Sequence, residues 1–346
     1  MARRRGVALD PLTHGLLGAV CGQAAYGRSL GRRALAWGAL IGMAPDADVV
    51  MNVTGPMAEW TWHRGTTHAL WFGPLVGAAV GALLYKWNGG RRRDWIGLAI
   101  LALVGHPLLD AFTTYGTQLL APFSRQRFAW DGVAIVDPAY SLVLAVALAV
   151  GLAAGVEARR ARTAAWAALV LTTGYLGLGV WLNDRVERIA RAQLLAEGVR
   201  DARVSAYPTL LQLPFRRVVA RSADELRIGW LNALFPRPIA WERFQEARGP
   251  LVDAARDTRA ARLFEWFALG QVSARVLPDV RGGVVVELDD LRYGVPGHPR
   301  DGMWGVRVRL DSSGRVLGDG ERIDRPLPTN RAELLRELWR RMLGAG

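Results

Sequence analysis

The chain has 346 residues, 51% of them hydrophobic, and a formal net charge of +13. Its apolar residues gather before about residue 182, which excludes a uniformly soluble protein and points to a membrane part followed by a soluble part. The arginines of the first half fall in short clusters between apolar segments, a topogenic pattern that argues against a nucleic-acid surface, and the single cysteine, Cys21, excludes a disulfide framework or a multi-cysteine zinc site.

In chain order, Met1 to Gly27 has the basic opening and apolar run of a signal peptide. Asp10 and His14 interrupt it, so the segment is expected to be retained. Six apolar segments follow one another at about 12–27, 34–52, 68–87, 95–113, 138–156 and 164–182. A helical crossing needs about 20 apolar residues, so the first, short and carrying Gln23, is a candidate re-entrant or tilted segment and the other five are expected spans. Gly73, Gly77 and Gly81, and Gly151 with Gly155, stand where helix backbones approach closely. Trp60, Trp62, Trp71 and Trp130 read as an interfacial belt.

Arg28, Arg32 and Arg33 follow the first segment, Lys86 and Arg91 to Arg93 the third, and Arg159, Arg160 and Arg162 the fifth. If all six segments span, these loops share one side, which the positive-inside rule makes cytoplasmic; Arg3 to Arg5 dissent. Beyond Leu182 the expected organisation is a juxtamembrane helix over 183–203 and a soluble α+β domain over 204–346. Strands are expected at Phe215 to Ala220, Glu225 to Leu231, Gly270 to Leu277, Val284 to Leu288 and Trp304 to Leu310. Asp311-Ser312-Ser313-Gly314 gives a hairpin signal, and a helix over Arg331 to Leu343 would be capped by Asn330 or Thr329. The fold class is therefore mainly α, a polytopic bundle of five to six segments over 1–182 followed by the smaller domain. His298 reads as a loop residue.

Four of the five histidines precede residue 107, each near the end of an apolar segment. His14 opens the first segment, Asp46 and Asp48 lie late in the second, His63 and His68 begin the third, and His106 with Asp110 closes the fourth. Parity of six spans places all of them on one membrane face. His106 and Asp110, four apart, share one helical face and can hold one ion or link a ligand to its support. Asp46 and Asp48, two apart after Pro45, project the same way from extended backbone as hard oxygen donors. Thr66 or Thr67 can cap the third helix, whose N-terminus with Arg64 would seat an anion. Mixed His and Asp donors without thiolate suit Zn²⁺ first, with Mn²⁺ or Fe²⁺ as alternatives, as one ion or two. Asp131 and Asp137 are open between loop solvation and a part in the site.

Asp10-Pro11-Leu12-Thr13-His14-Gly15, Pro45-Asp46-Ala47-Asp48, His63-Arg64-Gly65-Thr66-Thr67-His68 and Gly105-His106-Pro107-Leu108-Leu109-Asp110 together resemble the membrane-bound metal-dependent hydrolases that include LexA-regulated inner-membrane proteins. The resemblance covers about residues 9–182. It implies a multi-pass bacterial inner-membrane hydrolase with His14, Asp46, Asp48, His68, His106 and Asp110 as metal ligands and His63 as ligand or acid/base. A fainter similarity to zinc-dependent phospholipase C favours a phosphoester substrate by analogy alone.

The expected function is therefore a metal-dependent hydrolase cleaving a phosphoester of a lipid or lipid-linked substrate. Arg64 would hold the anion, His63 would protonate the leaving group, and membrane lipids rather than nucleic acid would be the partners. The site and the C-terminal domain are expected on the periplasmic side. Rival readings are a metal- or proton-coupled transporter, which should hold ionisable groups at the bilayer midplane, and a membrane-anchored interaction protein with a structural metal.

Overall fold

The computed structural model describes residues 11–223, 225–325 and 330–343; Arg3 to Arg5, Asp10 and Thr329 lie outside them. About half of these residues are helical, and the chain divides into two compact units, 1–54 with 62–180 and 55–61 with 181–346.

In the first unit α1 (Pro11–Leu30) and α2 (Arg32–Met43) form a helical hairpin turned at Gly31, whose φ of 57° favours glycine. Small residues let the two backbones touch. A Cβ on Gly18 would stand 2.1 Å from the Gly38 carbonyl oxygen, and one on Gly22 would stand 2.3 Å from that of Ala34. From α2 the chain winds into 3₁₀ turns over Ala44–Thr54, so Asp46 and Asp48 stand on tight helical turns and not on the expected extended backbone. After α3 (Ala58–Trp62) comes a single 3₁₀ turn, Thr66–His68, and then α4 (Phe72–Asn88) and α5 (Arg92–Ala111). The expected close approach of Gly73, Gly77 and Gly81 is present, since each faces α5 at Val104, Ile100 and Ile96. α6 (Pro138–Ala154) ends at Gly155, which meets nothing within 4 Å; its φ of 87° terminates the helix and makes no helix contact. α7 (Arg159–Ala196) runs unbroken through the sixth apolar segment and the charged stretch after it.

Among the described residues, three stretches are long and apolar enough to cross a membrane, Arg32–Met51, Arg92–Ala111 and Arg159–Ala196, or four if Ala58–His68 with Phe72–Asn88, bent by 66°, is one broken span. This corrects the expected five to six. α6 is only 17 residues long. α1 carries His14, Gln23 and four glycines, and its small residues are buried against neighbouring helices. Apolar character in those two segments serves helix packing as much as lipid contact.

The second unit holds two four-stranded antiparallel meanders. The first is β1 (Arg203–Thr209), β2 (Gln212–Arg221), β3 (Glu225–Asn232) and β4 (Glu242–Gln245). Helices α8 (Pro250–Arg256) and α9 (Arg259–Phe267) lead to the second sheet of β5 (Val272–Pro278), β6 (Val284–Asp290), β7 (Trp304–Leu310) and β8 (Glu321–Asp324), and α10 (Arg331–Leu343) closes the chain. Leu182, Val186, Ala190 and Leu194, one face of α7, pack on Val204, Val218 and Leu231 of the first sheet. Asn330 caps α10, its side-chain oxygen accepting from the Glu333 amide at 3.2 Å. The Asp311–Gly314 turn is present, with Leu317 N donating to Arg309 O, but the strand that pairs along β7 is β8.

Residues 55–61 belong to this unit. Trp60, expected in an interfacial belt, is instead fully buried, with its ring centroid 4.9 Å from that of Phe264 and 5.4 Å from that of Phe267. The Arg322 guanidinium lies 4.9 Å over the same ring and bonds Glu59 at 2.8 Å.

Candidate metal centre

The first unit brings every histidine of the first half into one buried cluster. α1 delivers His14, the 3₁₀ turns after α2 deliver Asp46 and Asp48, the loop before α4 delivers His63, Arg64 and His68, and α5 delivers His106 and Asp110. His68 is 0% exposed, and His106 and Asp110 are each 1%. Polar groups held this far from water need partners.

Asp46, His68, His106 and Asp110 each direct one donor atom into a common space, all four within 4.8 Å of one another. The His68 and His106 Nε2 atoms are 3.0 Å apart. His68 Nε2 lies 3.3 Å from Asp110 Oδ2 and 3.7 Å from Asp46 Oδ1; His106 Nε2 lies 3.4 Å and 3.5 Å from the same two oxygens. A tetrahedral ion with ligands at about 2.0–2.1 Å has donor–donor edges of about 3.3 Å. The observed separations bracket that edge.

Hydrogen bonding behind the two rings sets their tautomers. His106 Nδ1 lies 2.6 Å from the Gly42 carbonyl, which only accepts, so Nδ1 carries a proton, and in the neutral ring Nε2 carries the lone pair. Thr67 donates its hydroxyl to Asp48 Oδ2 at 3.0 Å, so His68 Nδ1 is the donor towards Thr67 Oγ1 at 2.9 Å and Asp48 at 3.4 Å. In the neutral rings two imidazole lone pairs thus converge at 3.0 Å, and the buried Asp110 Oδ2 has no hydrogen-bond partner among the described residues. Three carboxylates against one guanidinium leave two negative charges when the histidines are neutral. A divalent cation fits the donors, the spacing and the charge.

The remaining site residues surround this set. His14 Nε2 lies 3.2 Å from Asp110 Oδ1, and its ring stacks on His106 with centroids 3.7 Å apart. His63 Nδ1 is 2.7 Å from Asp48 Oδ1 and its ring meets Tyr115 edge-on. Arg64 does not face an open anion seat. Its guanidinium pairs with Asp110 at 2.8 Å and donates to Thr113 at 2.7 Å, while its backbone N–H donates to Asp48 Oδ2 at 3.0 Å. Neither Thr66 nor Thr67 caps the third helix: α4 starts at Phe72 behind Trp71, which makes no side-chain cap bond. Asp137 caps α6 through the amides of Ala139 and Tyr140 and accepts from Tyr175, and Asp131 lies in irregular backbone with φ of 50°; neither joins the four donors. A cavity of about 20 Å³, room for about one water, adjoins His14 and Asp110 and is bounded by Thr113 and Tyr140.

Thr113 and Tyr115 were not among the sequence candidates, though Tyr115 stacks beneath the Arg64 guanidinium at 4.8 Å. The available signal was the polar run Thr113-Thr114-Tyr115 directly after Asp110, at the end of an apolar segment.

Residues 9–186 match the YdjM inner membrane protein family. The chain is 31% identical over 138 residues to the inner membrane protein YbcI of Escherichia coli, covering 38% of this chain and 78% of that protein. It is 30% identical over 115 residues to the uncharacterized protein YfhP of Bacillus subtilis, covering 32% of this chain and 35% of that one, so it spans about a third of the length of this relative. No solved structure matches. With its site motifs and apolar helices inside the matched region, the chain belongs to the YdjM family of bacterial inner membrane proteins.

Proposed function

We propose that the protein is a metal-dependent hydrolase of the inner membrane that cleaves a phosphoester of a lipid or lipid-linked substrate. The observation that carries this reading is the convergence of two imidazole nitrogens and two carboxylate oxygens, all within 4.8 Å of one another, in one buried space. Zn²⁺ is the first choice for such a donor set, with Mn²⁺ or Fe²⁺ next. A bound divalent ion supplies Lewis-acid polarisation and a lowered pKa for water. His63, held by Asp48, is the proton donor to the leaving oxygen. Arg64 fixes Asp110 through its guanidinium and Asp48 through its backbone amide, so its role is to position both carboxylates.

The position of the donors along their helices favours a hydrolase over a transporter. His14 is the fourth residue of α1, and Asp110 is the last but one of α5. The basic clusters lie at the opposite helix ends: Arg28 and Arg92 are each fourteen residues from a site histidine in the same helix, about 21 Å of helical rise. That separation supports a periplasmic site under the positive-inside rule.

The test is turnover by purified protein in detergent, with Zn²⁺ or Mn²⁺ supplied, of phosphatidic acid, bis(p-nitrophenyl) phosphate and p-nitrophenyl butyrate. Metal-dependent release from a phosphoester, abolished by His68→Ala and lowered about 10²–10⁴-fold by His63→Ala, is expected. Turnover of the acyl ester alone, or phosphoester turnover indifferent to chelator, contradicts the proposal.

A further inference from the structure

A second feature of the first unit lies away from the histidine cluster. The C-terminal end of α1 and the N-terminal part of α7, as far as Leu171, enclose an open groove of about 640 Å³, bounded by Arg28, Arg159, Arg162, Trp166, Val170 and Leu171 among others. The two helices are locked together there. Gln23 of α1 donates to Ala161 O of α7 at 2.9 Å, and a Cβ on Gly27 would stand 3.0 Å from the carbonyl of Val156, in the turn that leads into α7. The groove is therefore a fixed feature of the packing and not a gap between loose ends.

Its chemistry is graded along one helical face. Arg159, Arg162, Trp166 and Val170 recur at intervals of three and four, so they line one stripe of α7. The stripe runs from guanidiniums through an indole to aliphatic side chains within about 18 Å of helical rise. Among the described residues, Arg28, Arg159 and Arg162 have no carboxylate partner, and Trp166, Val170 and Leu171 are 49%, 68% and 63% exposed. Three guanidiniums without a carboxylate partner, contributed by two helices, thus border the charged end of this stripe. The Glu157 carboxylate is not among the groove's lining residues and lies 3.4 Å from where a Cβ on Gly31 would stand.

We propose that this groove binds one anionic glycerophospholipid. Its headgroup phosphate sits among Arg28, Arg159 and Arg162, and an acyl chain lies along Trp166, Val170 and Leu171. Order along the stripe matches order along the lipid: charge, interface, hydrocarbon. This site is independent of the hydrolase reading, because no groove residue belongs to the histidine cluster.

The experiment is native mass spectrometry of the full chain released from detergent micelles containing phosphatidylglycerol or phosphatidylcholine. Phosphatidylglycerol is expected to stay bound at least about tenfold more than phosphatidylcholine, and the triple variant Arg28→Gln, Arg159→Gln, Arg162→Gln is expected to erase the difference. The triple variant Arg91→Gln, Arg92→Gln, Arg93→Gln, in another basic turn, should leave it intact. Trp166→Ala, at an exposed position, provides a second reading through the acyl end and should lower retention with the arginines untouched. Equal retention of both lipids, full retention by the groove triple, equal loss in the control triple, or displacement of phosphatidylglycerol by inorganic phosphate would each overturn the proposal.

Discussion

His68 is gripped from both sides of its ring. Nδ1 faces Thr67 and Asp48, while Nε2 faces Asp46, Asp110 and His106. Asp48 also accepts from the Arg64 amide and meets His63, so one carboxylate orients a donor imidazole and the neighbouring acid/base candidate together. Replacing such a supporting carboxylate costs about 10–100-fold in metal affinity. Asp48→Asn is thus expected to weaken Zn²⁺ binding by that factor in a chelator competition while the fold persists; unchanged affinity would remove Asp48 from the support of the site. Much of this was legible in the residues. His106 and Asp110 at i and i+4, and the polar knot from His63 to His68, have no apolar reason to sit beside hydrophobic segments. The roles were less legible than the membership. Arg64 reads as a substrate anchor until Asp110 is seen 2.8 Å away, because spacing along a chain carries no information on which distant carboxylate claims a guanidinium.

At the scale of elements, the site depends on backbones that touch. Gly18 and Gly38 face each other across α1 and α2, and a Cβ on Gly42 would stand 2.6 Å from the His14 carbonyl, so the same contact that joins the helices sets the height of His14. Gly18→Leu is expected to destabilise the first unit by at least about 1–3 kcal/mol, since neither backbone can yield without moving α1. Gly174→Ala in α7, where nothing lies within 4 Å, should be neutral or stabilising by about 0.5–1 kcal/mol. Thermal unfolding of the two variants in detergent checks the pair, and the reverse order would contradict this packing. The sequence identified Gly73, Gly77 and Gly81 as approach points because they share one helical face. It misread Gly155, since a glycine that ends a helix and one that packs against a helix look alike in one dimension. Apolar runs were equally ambiguous: α6 and α1 have the composition of spans but the length or polarity of packed helices.

For the molecule as a whole, the two units differ in how much of them a single sequence reveals. The family match ends at residue 186, so most of the second unit lies beyond it. Strand alternation found β2, β3, β5, β6 and β7 to within a few residues. It missed β1, β4 and β8, and the short helices α8 and α9, whose apolar pattern covers too few turns to stand out. Least legible was Trp60. It lies between site residues Asp48 and His63 in the chain, yet it is buried on Phe264 and Phe267 more than two hundred positions later. Trp60→Ala should cost the second unit about 3–5 kcal/mol, seen as faster hydrogen exchange in α9 and β7. Exchange unchanged from wild type would show that the aromatic cluster does not depend on it.

In the proposed hydrolase, Asp46, His68, His106 and Asp110 hold a metal ion. Elemental analysis of detergent-purified protein after reconstitution with Zn²⁺, beside folded His68→Ala and His106→Ala variants, tests it most directly. About one transition-metal ion per wild-type chain, lost in both variants, is the predicted result. Wild-type protein that retains none, or variants that retain as much as wild type, would show that these four residues are not a metal site.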